Sequence, residues 1–184
     1  MVQTISDLCC GCGACENVCP VNAIHYIPNK DGFYKPIVDE NKCIRCGLCL
    51  KKCPLKTPPT GSRPRAVYAC RNQDEQVLHK SSSGGVFSAL AKKVLHEGGT
   101  VFGCSWDGQI AKHTEVTSIT ELPKLYKSKY VQSNIAGVHK QIKERLKEGK
   151  TVLFCGTPCQ VAGLKAGLGS HPDLITVDFI CHGV

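Results

Sequence analysis

The sequence predicts an α+β lobe built around cysteines, followed by an α/β domain with a mostly parallel sheet. Three observations carry this. One cysteine pattern occurs twice within residues 1–56, which hold too little apolar material for a sizeable core of their own. Residues 57–65 contain Pro58, Pro59, Gly61 and Pro64 with almost nothing apolar, the composition of a linker. From residue 66 to residue 184, strand-like apolar runs alternate with amphipathic helical stretches, the pattern of a parallel sheet with right-handed crossovers.

Eight of the fourteen cysteines make up the repeated pattern. Cys9, Cys12, Cys15 and Cys19 precede Pro20, and Cys43, Cys46, Cys49 and Cys53 precede Pro54, each member of the second run lying 34 residues after its counterpart. The spacing C-x2-C-x2-C-x3-C-P is the ligand run of a two-cluster bacterial ferredoxin, in which the fourth cysteine of each run serves the other cluster. This gives a ferredoxin-like two-cluster domain at residues 1–56. One 4Fe–4S cluster falls to Cys9, Cys12, Cys15 and Cys53, the other to Cys43, Cys46, Cys49 and Cys19. Gly13 and Gly47 hold matching places where the backbone must curl around inorganic sulfide. Structural zinc would favour separated C-x2-C pairs without a third cysteine or a trailing proline. A disulfide framework belongs to secreted chains, and the start MVQTISDLCC lacks the apolar core of a signal peptide. Cys10 is extra: its counterpart is Ile44, so a small packed thiol is expected there rather than a ninth ligand.

The formal charge is +8. Two clusters with four thiolates each bring about −2 apiece, leaving the loaded chain near +4, roughly. Basic residues are scattered, and Lys140 to Lys150 alternate with acids, so nucleic acid is not an expected partner. Lys51 and Lys52, beside Cys53, favour local reduction through their positive charge. No apolar run approaches the roughly 18 residues of a membrane span. So many thiols imply a reducing, cytoplasmic setting. None of the seven histidines has the spacing of a metal pair.

Between the cysteine runs, residues 23–27 and 34–38 flank Pro28-Asn29-Lys30-Asp31-Gly32, as two short strands around a turn. Beyond the linker the expected elements are a strand at 67–70, a helix at 85–97, strands at 100–106 and 110–117, a helix at 134–148, a strand at 151–155, a helix opening at Pro158 and a strand at 174–180. Val184 follows directly on that last strand, where the ligand-facing loop of an α/β sheet belongs, so the chain is expected to be part of a longer one.

Two turns in this region carry chemistry. Ser81-Ser82-Ser83-Gly84-Gly85 leads into the first helix; it is either a phosphate cradle or a plain N-cap with a flexible approach. Gly156-Thr157-Pro158-Cys159-Gln160 follows a strand, with Thr157 suited to an N-cap and Pro158 to the first helical position. Parallel strands bring Cys155, Cys159 and Cys181 toward one sheet edge, either as small packed hydrophobes or as ligands of a third cluster completed by Cys70 or Cys104.

The ferredoxin run followed in order by SSSGGVFSAL, FGCSWD, KSKYVQS, VLFCGTPCQVAGL and ICHGV strongly resembles the coenzyme F-420 hydrogenase/dehydrogenase beta-subunit family. The resemblance covers essentially the whole chain and is carried most specifically by GTPCQVAGL and SKYVQS. It implies an iron–sulfur flavoprotein that passes electrons between clusters, FAD and a hydride carrier such as the deazaflavin coenzyme, working with a redox partner subunit or ferredoxin. It assigns Ser82, Ser83, Gly84, Gly85, Lys129, Thr157, Pro158 and Gln160 to the flavin, and Cys155, Cys159 and Cys181 to an inner cluster beside it. Family members continue well past the C-H-G segment, so this chain corresponds to a truncated member. Two other classes stand beside this one: a ferredoxin-type electron-transfer or docking module without chemistry of its own, and a regulator sensing through labile clusters.

Overall fold

The computed structural model describes residues 8–61 and 63–183; residues 1–7, Ser62 of the linker and Val184 lie outside them. The amino-terminal lobe holds two four-residue helices, α1 (Ala14–Asn17) and α2 (Leu48–Lys51), at the same place in each cysteine run. Between them β1 (Ile24–Pro28) pairs antiparallel with β2 (Tyr34–Val38). The Asn29 side chain closes their turn by accepting from the amides of Asp31 and Phe33. The apolar packing here is small: Cys15, Ile24 and Val38, with Tyr26, Cys19, Cys43 and Cys49 against them. The thiols are much of the core, so ligation of those thiols would supply a large part of the folding energy.

Residues 57–61 and 63–71 are exposed and without regular structure. Then come α3 (Glu75–His79), capped by the Asp74 carboxylate, and α4 (Val86–His96). β3 (Thr100–Asp107) and β4 (Ile110–Val116) form a hairpin in which Gly108 supplies the positive φ its two-residue turn needs. A short 3-10 turn (Leu122–Leu125), α5 (Val138–Lys147), β5 (Val152–Gly156), α6 (Pro158–Leu168) and β6 (Leu174–Asp178) complete the order. The sheet runs β4-β3-β5-β6, with β3, β5 and β6 parallel and β4 antiparallel at the edge.

Alternation divides the core. Val101 and Leu153 face α4 and the 3-10 turn, whereas Phe102, Val152 and Phe154 face α5 and α6. Val152, Leu153 and Phe154 are fully buried, as a central parallel strand covered on both faces requires. Each large apolar side chain so buried stabilises the fold by about 1.5–3 kcal/mol. No helix among the described residues is long and apolar enough to cross a membrane.

The strand expected at 67–70 is absent. Val67 and Tyr68 are 85% and 80% exposed, with no neighbouring strand to make their apolar character useful. The helix expected from 134 starts at 138, because Gly137 turns left-handed (φ 74°) and Asn134 instead bridges back to Ala111 and His113. The last strand stops at Asp178, leaving Phe179 and Ile180 exposed.

Candidate functional site

Two thiol-lined cavities occupy the amino-terminal lobe. Cys9, Cys12, Cys15 and Cys53 line the first, together with Cys10, Tyr26 and Pro36. Cys19, Cys43, Cys46 and Cys49 line the second, with Ile24, Ile44 and Arg45. In each, three cysteines come from one run and the fourth from the other. The local backbone explains the wrap: Gly13 and Gly47 are both left-handed (φ 79° and 75°), as are Gly11 and Arg45 two residues earlier. Amides point at sulfur, Gly11 N donating to Cys9 Sγ (3.4 Å) and Ala23 N to Cys19 Sγ (3.2 Å). Tyr26 Oη lies 3.3 Å from Cys15 Sγ. Burial pushes the Cys15 thiol up to about 12, a cost that a metal offsets by taking the thiolate. Among the described residues no three Cys, His, Asp or Glu side chains close on a single ion. A cubane spreads its thiolates around a core of iron and sulfide, so four thiols around a cavity, with amides aimed at sulfur, fit that group better than one ion.

The α/β domain packs against the first cysteine run. A Cβ on Gly163 of α6 would stand 2.8 Å from Cys12 O and 3.0 Å from Cys12 Sγ, and one on Gly13 would stand 2.9 Å from Ile135 Cγ2. Glu16 Oε2 accepts from Gly137 N (3.2 Å) and Asn17 Oδ1 from Lys140 N (3.2 Å), so two side chains of α1 cap the start of α5. Gln132 binds both backbone atoms of Tyr34. Cys159, one helical turn before Gly163, has its thiol beside Cys10, which also neighbours Cys12. The Cys12 thiol is the main cause pushing Cys10 up to about 11.

A second feature lies at the carboxyl end of β5, where α/β sheets place ligands. Cys104 and Cys155 stand near the Lys129 ammonium. Burial lowers Lys129 and pushes Cys155 up to about 12. Lys129 Nζ donates to Tyr126 O (2.7 Å) and Lys127 O (3.1 Å). Ser82 Oγ accepts from Ser128 N (2.8 Å), joining the SSSGG loop to this segment. Gly84 has no room for a Cβ, which would meet Cys70 O at 2.5 Å, and Gly85 starts α4 at φ 70°. Ser82, Ser83 and Pro158 are exposed and Thr157 half-buried. Gln160 is different: it is 5% exposed, its Oε1 accepts from Thr157 N (2.9 Å) and its Nε2 donates to Ser133 Oγ (2.9 Å). Ser133 Oγ then donates to His113 Nδ1 (3.1 Å), and His113 Nε2 donates to Cys155 O (3.1 Å). Burial holds His113 down to about 4, so this chain of hydrogen bonds is uncharged.

Cys155, Cys159 and Cys181 do not converge. Cys155 faces Cys104 and Lys129, Cys159 turns to Cys10, and Cys181 is exposed beyond β6. Sequence reasoning missed His113, Ser133 and Gln132, whose partners are 20 or more residues away in the chain.

Residues 8–57 match the family described as 4Fe-4S dicluster domain. One subunit of the F(420)H(2) dehydrogenase of Methanosarcina mazei is 23% identical over 84% of this chain and 46% of its own length. One subunit of the Na(+)-translocating ferredoxin:NAD(+) oxidoreductase complex of Acetobacterium woodii is 41% identical over 40% of this chain and 21% of its own. Among solved structures, a chain of the F-420-reducing NiFe hydrogenase complex from Methanosarcina barkeri is similar at a TM-score of 0.49 and 22% identity, covering 60% of this chain and 42% of that one. The chain thus spans less than half the length of these two curated relatives. Residues 8–57 are thus a 4Fe–4S dicluster domain, and the chain is similar along most of its length to part of one F(420)H(2) dehydrogenase subunit.

Proposed function

We propose that this chain is the electron-transfer part of an oxidoreductase, working with a redox partner subunit, with FAD received at the carboxyl end of β5. In this reading Cys9, Cys12, Cys15 and Cys53 hold one 4Fe–4S cluster, and Cys43, Cys46, Cys49 and Cys19 the other. The observation that carries it is contiguity. The Cys155–Gln160 turn opens onto the β5 crevice, and the same helix start reaches the first thiol cavity through Cys159 and Gly163. Bound there, a flavin supplies exchange of a hydride for two single electrons, and clusters supply one-electron steps.

The chain's own residues bind and orient. Ser82 and Ser83 offer hydroxyls, and the Gly84-Gly85 turn brings backbone close at the start of an eleven-residue helix, a setting suited to phosphate oxygens. Lys129 adds a positive charge beside that loop. Thr157 and Pro158 form the floor, held by Gln160, which acts through Thr157 because its own amide is committed inside the protein. Thiols at Cys104 and Cys155 are neutral neighbours whose thiolates burial disfavours. A hydride carrier such as coenzyme F-420 is the substrate class this reading favours.

The test is anaerobic purification with iron, sulfide and flavin analysis. The expected result is about eight irons per chain, a cubane paramagnetic signal after dithionite, and FAD released by acid. Intact clusters without flavin would leave a ferredoxin-type electron-transfer module and remove the hydride step. No cubane signal after reconstitution would overturn the reading altogether.

A further inference from the structure

The two cysteine runs fold alike but end in opposite surroundings. α1 and α2 start 34 residues apart, and each follows a left-handed glycine. Around the first run Ala14, Cys12 and Cys15 are at most 7% exposed, and α5 and α6 cover the helix. Around the second, a Cβ on Gly47 would meet nothing within 4 Å, Ile44 is 61% exposed and α2 buries no residue.

Charge follows the same division. Residues 42–56 carry Lys42, Arg45, Lys51, Lys52 and Lys56 and no acid, all five being exposed. The corresponding residues 8–22 carry only Glu16, which is committed to α5. Lys42 is paired with Asp39, but among the described residues no carboxylate lies within ion-pair distance of Arg45, Lys51, Lys52 or Lys56. The exposed apolar pair Ile44 and Leu48 lines the second cavity together with Arg45. A small apolar centre with a single-sign rim suits a brief, electrostatically steered encounter rather than a permanent interface.

We propose that the loop and helix at residues 44–52 are the docking surface for a small acidic electron-carrier protein. The surface rests on the ligand assignment above, since it matters for electron exchange only if Cys19, Cys43, Cys46 and Cys49 hold a cluster. The occupant follows from the chemistry. A carrier must come close to those four thiols, Cys46 is the exposed one, and unpaired positive charge around it selects an acidic surface. At the first run, by contrast, α5 and α6 pack on α1 and Cys12.

The test titrates the anaerobically purified chain with a small acidic bacterial-type ferredoxin and measures Kd at low and high salt. Substituting Arg45→Glu, Lys51→Glu and Lys52→Glu together is expected to weaken binding at least about tenfold and flatten its salt dependence. Lys143→Glu with Lys147→Glu on α5, the same sign of change elsewhere, is expected to leave Kd within about twofold. Equal binding by the triple variant, equal loss in the α5 variant, or attachment to anionic lipid vesicles but not to the ferredoxin would each overturn the proposal. Iron content separates it from the reading beneath: an original chain that holds no iron overturns the ligand assignment, even where the charge-dependent binding persists.

Discussion

Gly163 lies against Cys12 so closely that a side chain there would penetrate the Cys12 carbonyl and press on its sulfur. This contact fixes how near α6, and with it the β5 crevice, comes to the first thiol cavity. An exposed helical glycine costs about 1 kcal/mol relative to alanine. Here the opposing atom is a backbone carbonyl that cannot swing aside, so overpacking of about 1–3 kcal/mol wins. Gly163→Ala is expected to lower the unfolding midpoint and to loosen iron at the first site. In the same helix a Cβ on Gly167 would meet Val18 Cγ1 at 3.6 Å, ordinary contact, so Gly167→Ala is expected to stabilise by about 0.5–1 kcal/mol. Thermal scans of both variants with iron analysis give opposite signs if the contact is as described; equal signs would refute it.

The crossed ligand sets can be separated by pairing substitutions. Cys53→Ser with Cys9→Ser strikes one set twice and should leave about half the iron. Cys53→Ser with Cys43→Ser strikes both sets and should leave almost none. The reverse order of iron content would show that each run serves its own cluster. Cys10→Ser should keep all the iron, its thiol being surplus to both sets of four.

Acid should destabilise the α/β domain through His113. The ordinary imidazole value is near 6.5 and burial holds this one near 4. Below 6.5 the unfolded chain takes a proton that the folded one refuses, so stability is full above that value and falls as pH drops toward 4. His139, buried and held near 3 for the same reason, adds to the slope. His113→Gln keeps a donor for Cys155 O and removes one titrating group. Between pH 7 and 5.5 its stability should fall less steeply than the original's, the difference approaching about 1.4 kcal/mol per pH unit per proton. Urea midpoints at the two pH values decide it.

Gln132 clasps the two lobes by accepting from Tyr34 N at 2.6 Å and donating to Tyr34 O at 3.4 Å. Gln132→Ala leaves a half-buried amide without a protein partner, a loss of about 1 kcal/mol. Trypsin should then cut the 57–65 linker, with its Arg63 and Arg65, faster than in the original chain. An unchanged cleavage rate would mean that the contacts of α5 and α6 with the first cysteine run hold the lobes together without it.

Local signals were enough for much of this. The cysteine spacing points to a dicluster domain because three closely spaced thiols can wrap one face of a cubane. The helices at 86–96 and 158–168 and the strands at 100–107 and 152–156 were legible because periodicity and caps are written within a few residues. The segment at 67–70 misled for the same reason: β-branched and aromatic residues read as a strand, but a strand needs a neighbour, and none is adjacent. The family resemblance puts Gln160 near the flavin. Its burial and its bond to Ser133, 27 residues earlier, could be seen only in the folded chain.

The repeated cysteine pattern of the dicluster domain and most of the strand–helix order are readable along the chain, since each depends on chemistry between near neighbours. Folding alone brings α5 and α6 against the first cysteine run and leaves the second exposed. This turns on which surfaces of distant segments meet, and the shared cysteine spacing of the two copies does not say which copy will be covered.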